Sequence, residues 1–152
     1  MDMDMDMDMD MDMDMDMDIP SLAGVRVLIV DDEADVRQLF TEILTQHGVI
    51  VTAVASAKIA FTTLSLNSAD YDVLLSDISM PGEDGYSLIR RVRGLSATGG
   101  GLIPAAALTA VASSSDRQEA ITAGFQLHLA KPIPPHQLAL VVAKLARNIK
   151  NS

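Results

Sequence analysis

The chain reads as an α/β protein, one doubly wound sandwich of five parallel strands and five helices. Short apolar runs rich in β-branched residues alternate five times with longer segments of helical periodicity. The strand-like runs are apolar almost throughout, as burial on both faces requires. Right-handed crossovers between parallel strands then place helices on both sides of the sheet.

Each element follows from local pattern. VRVLIV (25–30) is the first strand. Residues 31–47 then carry helical spacing through Val36, Leu39, Phe40, Ile43 and Leu44, with Gly48 as the stop. VIVTAV (49–54) is the second strand, and Ser56 is placed to cap a helix with Ile59, Ala60, Leu64 and Leu66 facing inward. Residues 72–76 form the third strand. A loop with Pro81 and Gly82 follows, and Asp84 caps a helix carrying Tyr86, Leu88, Ile89 and Val92. After the glycine run 99–101 come a fourth strand (103–108) and a short polar helix (113–123) ended by Gly124. Residues 125–129 are the fifth strand, and Pro134 and Pro135 open a last helix that ends near Asn148.

A net charge of −10 over 152 residues suggests an acidic protein, but the charge is local. Residues 1–18 are nine Met-Asp pairs; the rest holds 12 acidic against 11 basic residues. The alternation mimics a strand, yet a row of like charges with nothing opposite repels itself, so residues 1–18 are expected to be disordered. Residues 19–23 read as a linker and 24–150 as one domain. Its balanced charge leaves no footprint for nucleic acid, and Arg90, Arg91 and Arg93 read as a solvated helix face. With no Cys, neither a disulfide framework nor a thiolate metal site is available. No apolar run has the length of a membrane span, and the N-terminus lacks the features of a secretory signal, so a cytoplasmic location is expected.

The chemistry-bearing residues stand at strand ends. Asp31 and Asp32 follow the first strand, Asp77 the third, Thr109 the fourth and Lys131 the fifth. In a parallel sheet these ends share one edge, so three carboxylates, a hydroxyl and an ammonium converge. Adjacent carboxylates repel and rise in pKa unless a cation joins them, and Mg²⁺ prefers oxygen ligands. A carboxylate can also attack phosphorus, and phosphoryl transfer needs mostly positioning and neutralisation of charge. Taken singly, each residue has an ordinary alternative: Asp31 or Asp32 as a helix cap, Asp77 as a turn residue, Thr109 as a strand former. A cis bond between Lys131 and Pro132 would suit the aiming of the ammonium.

With those residues assembled, the chain resembles the receiver domain of two-component response regulators. VLIVDDE, DISMPGEDG, ALTA and AKP carry the likeness, which covers about residues 24–149. It implies the flavodoxin-like strand order 2-1-3-4-5. It implies Asp77 as phosphoacceptor, with Mg²⁺ (Mn²⁺ as a substitute) held by Asp32, Asp77 and the Ser79 carbonyl, and Asp31 acting through water. Lys131 would contact the phosphoryl group, and Thr109 would shift on phosphorylation together with His128. The donor would be a sensor histidine kinase or a histidine phosphotransfer protein, and the output a changed face for an unknown downstream protein. Such a chain is no separate enzyme: it catalyses only phosphorylation and dephosphorylation of its own aspartate.

Two positions depart from the usual family pattern. His128 stands where Tyr or Phe is usual, which puts a titratable ring at the switch. Ser79 and Val111, each two residues past a pocket residue, flank the path of hydrolytic water. Val111 offers no group to orient that water, so a long-lived phosphoryl state is expected. His47 and His136, at helix ends, read as structural or solvated.

Other readings fare worse. A flavin carrier needs a phosphate cradle where Asp31, Asp32 and Glu33 would repel phosphate. Phosphatases of the haloacid dehalogenase type place their nucleophile after the first strand with an acid two positions on, and Glu33 adjoins the acidic pair here. A pseudo-receiver scaffold would lack one of the pocket residues, and all are present. The end of the chain, HLAKP with HQLALVVAKLARN, resembles the closing receiver of hybrid histidine kinases, with a free-standing regulator as the alternative. Ala139, Leu140, Ala143 and Ala146 are expected to form an outward, mildly apolar face on the last helix, opposite Leu138, Val141, Leu145 and Ile149.

Overall fold

The computed structural model describes residues 21–110 and 113–150, with side chains to residue 146. The Met-Asp pairs and Val111 lie outside the described residues. Five parallel strands stand in the order β2-β1-β3-β4-β5: β1 Arg26–Val30, β2 Ile50–Val54, β3 Val73–Asp77, β4 Ala105–Thr109 and β5 Leu127–Ala130. The helices between and after them are α1 Ala34–Thr45, α2 Ala57–Asn67, α3 Gly85–Arg93, α4 Ser114–Ala123 and α5 Pro135–Lys150. Single 3₁₀ turns at Ser68–Asp70 and Ala97–Gly99 precede β3 and β4.

Strand alternation sorts the core into two layers. Val27, Ile29, Val73, Leu75, Ala106 and Leu108 face α1 and α5, packing on Phe40, Leu44, Leu138 and Val142. Leu28, Val30, Leu74, Ala105 and Ala107 face α2, α3 and α4, packing on Ala60, Leu64, Leu88, Ile89 and Ala120. The caps expected at Ser56 and Asp84 form, each accepting from the main-chain N–H three residues on, and Ser113, read as the first helical residue, caps α4 in the same way. The exception is α1, which begins at Ala34 with Glu33 as its N-cap and no side-chain cap bond.

Other expectations give way. Leu39, Ile59 and Leu66 are 51%, 49% and 75% exposed. Each lies beside an inward arc that its neighbours already fill. The expected outward face of α5 is instead core: Ala139, Ala143 and Ala146 are buried, and only Leu140 of that set stays partly accessible. Small residues there let α5 sit closely on both the sheet and α1, so more than half its circumference is covered.

The arginine row of α3 also splits. Arg90 is exposed, but Arg93 turns inward and gathers carbonyls. Its Nε and Nη2 donate to Gly124 O at 2.9 and 2.8 Å, and Nη1 donates to Gly101 O at 3.0 Å and Ile103 O at 2.7 Å. Gln126 Oε1 completes the set at 3.2 Å while accepting from Ala105 N–H at 2.7 Å. Burial lowers the guanidinium below its ordinary value. Arg93 thus ties the end of α3 to the loops entering β4 and β5. Arg93→Ala is expected to cost about 2 kcal/mol, because several half-buried carbonyls lose a charged donor. The readout is the urea midpoint at unchanged slope; a midpoint equal to wild type would show that water replaces the guanidinium.

Candidate functional site

Strand parity that continues past the core builds the site. Asp31, Asp77 and Lys131 prolong the rows of β1, β3 and β5 that face α1 and α5, whereas Thr109 and His128 belong to the rows facing α2, α3 and α4. Asp77 ends β3 opposite Leu108, one residue before Thr109, and Lys131 N–H donates to Thr109 O at 2.7 Å. The Lys131–Pro132 peptide bond is cis.

The three carboxylates converge, with one oxygen from each of Asp31, Asp32 and Asp77 lying within 4.8 Å of the others. Asp31 and Asp77 are buried and Asp32 is exposed. Both oxygens of Asp31 are engaged: Oδ1 accepts from Glu33 N–H at 2.9 Å and Oδ2 from Lys131 Nζ at 2.8 Å. The ammonium also stands 3.4 Å from Asp77 Oδ1. Burial pushes the Asp77 carboxyl up to about 6, with the Asp31 charge adding to the rise and Lys131 and a Ser79 main-chain hydrogen bond opposing it. Burial alone would lower the Lys131 ammonium, but the hydrogen bond and charge of Asp31, with the charge of Asp77, hold it above its ordinary value. One ammonium therefore leaves the cluster with excess negative charge. A hard divalent cation fits that deficit and those oxygen donors.

The loop after Asp77 is fixed from behind. A Cβ at Gly85 would sit 2.4 Å from Asp77 O and 2.9 Å from Ile78 Cα, so only glycine allows the first turn of α3 to approach this closely. Ser76 Oγ donates to Asp77 O at 2.9 Å. Glu83 is held by Arg91 Nη1 at 2.6 Å and Ser87 Oγ at 2.9 Å, and the Arg91 guanidinium lies 4.1 Å from the centre of the Phe61 ring. Those anchors were not legible beforehand, since a Glu and an Arg eight residues apart give no contact signal across a loop and a helix.

Beside Asp77, a cavity of about 670 Å³ is lined by Ser79, Met80, Asp84, Tyr86, Thr109 and Asp116, among others. Thr109 is buried at its edge. His128 lies on β5 opposite Ala107, next to a second cavity of about 420 Å³ under α4 that Ser113, Ser114, Arg117 and Gln126 also line. Burial lowers the His128 imidazole; nearby Asp116 raises it and Arg117 lowers it. His47 and His136 are both half-buried and stand apart from the acidic cluster.

Residues 27–143 match the model of the response regulator receiver domain. The chain belongs to that family. An uncharacterized 14.6 kDa protein of Leptolyngbya boryana is 42% identical to it over 122 residues, 80% of this chain and 90% of that protein. Hybrid signal transduction histidine kinase D of Dictyostelium discoideum is 35% identical over 116 residues, 74% of this chain but only 8% of the kinase. Among solved structures, the receiver domain of sensor histidine kinase PA1611 from Pseudomonas aeruginosa is similar at 31% identity and a TM-score of 0.74, covering 82% of this chain and 99% of that domain. That structure has a magnesium ion coordinated in its active-site cleft. The receiver thus spans nearly all of one relative and a small part of another, and no helix among its described residues is long and apolar enough to cross a membrane.

Proposed function

We propose that this receiver is a phosphoacceptor switch, in which Asp77 takes a phosphoryl group from a phosphohistidine on a sensor kinase or phosphotransfer protein. The carrying observation is the convergence of Asp31, Asp32 and Asp77, with one ammonium against the two buried carboxylates and a cavity that opens at the next residues, Ile78 and Ser79. An Asp77 oxygen forms the new O–P bond as the N–P bond breaks, and the departing imidazole keeps the electron pair and takes up a proton. Asp32, Asp77 and the Ser79 carbonyl would hold Mg²⁺, or Mn²⁺ through the same oxygens, with Asp31 reaching it through water because both its carboxylate oxygens are engaged. The cation supplies neutralisation of charge on the transferring group. Lys131 needs only to swing from Asp31 toward the phosphoryl oxygens, and Thr109 closes from the neighbouring strand. Thr109 and His128 share one face of the sheet, so movement of the hydroxyl is felt beneath α4, where an equilibrium of two arrangements would carry the signal.

The test is the intact mass after incubation with a small phosphoryl donor. One phosphoryl adduct that needs Mg²⁺ and vanishes in Asp77→Asn is the expected result. A folded wild type that takes no adduct would turn the reading to a scaffold that keeps the pocket without using it.

A further inference from the structure

We propose that Arg37 is a positioning residue for the divalent-cation site: from one turn inside α1 it fixes the main chain of Asp31 and thereby aims Asp32. The inference rests on the reading of the acidic cluster as a cation site. The geometry centres on Asp31, whose polar atoms are all occupied. Its N–H donates to Val54 O at 3.1 Å, its carboxylate takes Glu33 N–H and Lys131 Nζ, and its carbonyl accepts from Arg37 Nη1 at 2.7 Å. Four separate segments, β2, the start of α1, the loop after β5 and the body of α1, therefore clamp one fully buried residue.

Arg37 is the member of that clamp with no other stated role. It is half-buried, six residues past Asp31, on a helix whose N-terminus has no side-chain cap. A side-chain cap at Glu33 would have anchored the β1–α1 loop locally; here the bond from Arg37 back to Asp31 O and the bond from Asp31 Oδ1 to Glu33 N–H take that part. Asp32 is exposed and lies between the two clamped residues, so its direction follows from how they are held. A lysine would keep the charge, but its shorter reach and single nitrogen do not reproduce this bond.

Calorimetric titration of the full chain with Mg²⁺ tests the proposal on wild type, Arg37→Lys and Arg37→Met, with Asp77→Asn as the baseline for cations taken up by the Met-Asp pairs. Partners of metal ligands typically change metal affinity by about 10-fold or more, and a loss of about 10-fold is expected in both arginine variants. In phosphorylation assays Arg37→Lys should need correspondingly more Mg²⁺ for half-maximal rate while keeping its rate at saturating Mg²⁺. Wild-type affinity in both variants would overturn the proposal. So would full affinity in Arg37→Lys with loss in Arg37→Met, because charge alone would then suffice. A wild type that titrates like Asp77→Asn would instead overturn the cation site itself, and Arg37 with it.

Discussion

Lys131→Ala is expected to destabilise the cation-free receiver by about 3 kcal/mol at neutral pH and to remove most of its phosphoryl uptake. The ammonium is the partner of an Asp31 carboxylate that no solvent reaches, at 2.8 Å, and stands 3.4 Å from Asp77. Removing it leaves two buried carboxylates facing each other with no counter-charge. Because the Lys131 pKa is held above its ordinary value of 10.5, its contribution persists at all lower pH as far as its own charge is concerned and fades only above that value. On the acid side the pairing with Asp77 weakens as that carboxyl takes its proton near pH 6. The gap between wild type and Lys131→Ala should therefore narrow from pH 7 to pH 5. Urea denaturation at the two pH values checks this, and a gap that widens toward pH 5 would show that the ammonium does not act through the carboxylates. Saturating Mg²⁺ should shrink the stability gap but not restore phosphoryl uptake.

Asp77→Asn acts in the opposite direction on stability. A carboxyl held at about 6 against an ordinary 3.8 costs the fold on the order of 2–3 kcal/mol once both states are ionised. The sign is that of a raised carboxyl: the folded state binds the proton more tightly, so stability falls as pH rises from about 4 to about 6 and stays lower above. An amide carries no such charge, so the variant should melt higher than wild type at pH 7 without Mg²⁺ and lose that lead at pH 4. Mg²⁺ should stabilise wild type more than the variant, since a cation relieves the repulsion that the substitution removes. Melting curves with and without Mg²⁺ decide it. A variant less stable than wild type at pH 7 would mean that Asp77 contributes more by its contacts than it costs by its charge.

Both effects were foreshadowed where the sequence placed charge at strand ends. All five strands, the caps at Ser56 and Asp84, and the convergence of Asp31, Asp32, Asp77 and Lys131 follow from short apolar runs and what comes directly after them. Such signals are local, and parallel strands turn them into a common edge. What escaped was tertiary. Leu39, Ile59 and Leu66 have the right residue type, but periodicity marks an arc without saying how wide a neighbour's cover is. The small residues of α5 read as a smooth outer face although they mark close packing against α1. Arg93 looks like an ordinary surface charge until backbone carbonyls from other loops arrive within reach, and Arg37 until its helix turns it back onto the carbonyl of Asp31.

The parity of the strands separates two tasks. In the proposed switch, the side chains that would take the incoming group prolong one row of the sheet, and those that would report it prolong the other. On that reading, a change on the α1–α5 side is expected to retune which donor is accepted while leaving the α2–α4 side untouched, and the reverse is expected for the downstream partner. Such a sheet behaves as a partition with one shared seam, where Asp77 pairs with Leu108 beside Thr109 across β3 and β4. Swapping either surface between relatives should preserve the other half's behaviour as long as that seam is kept.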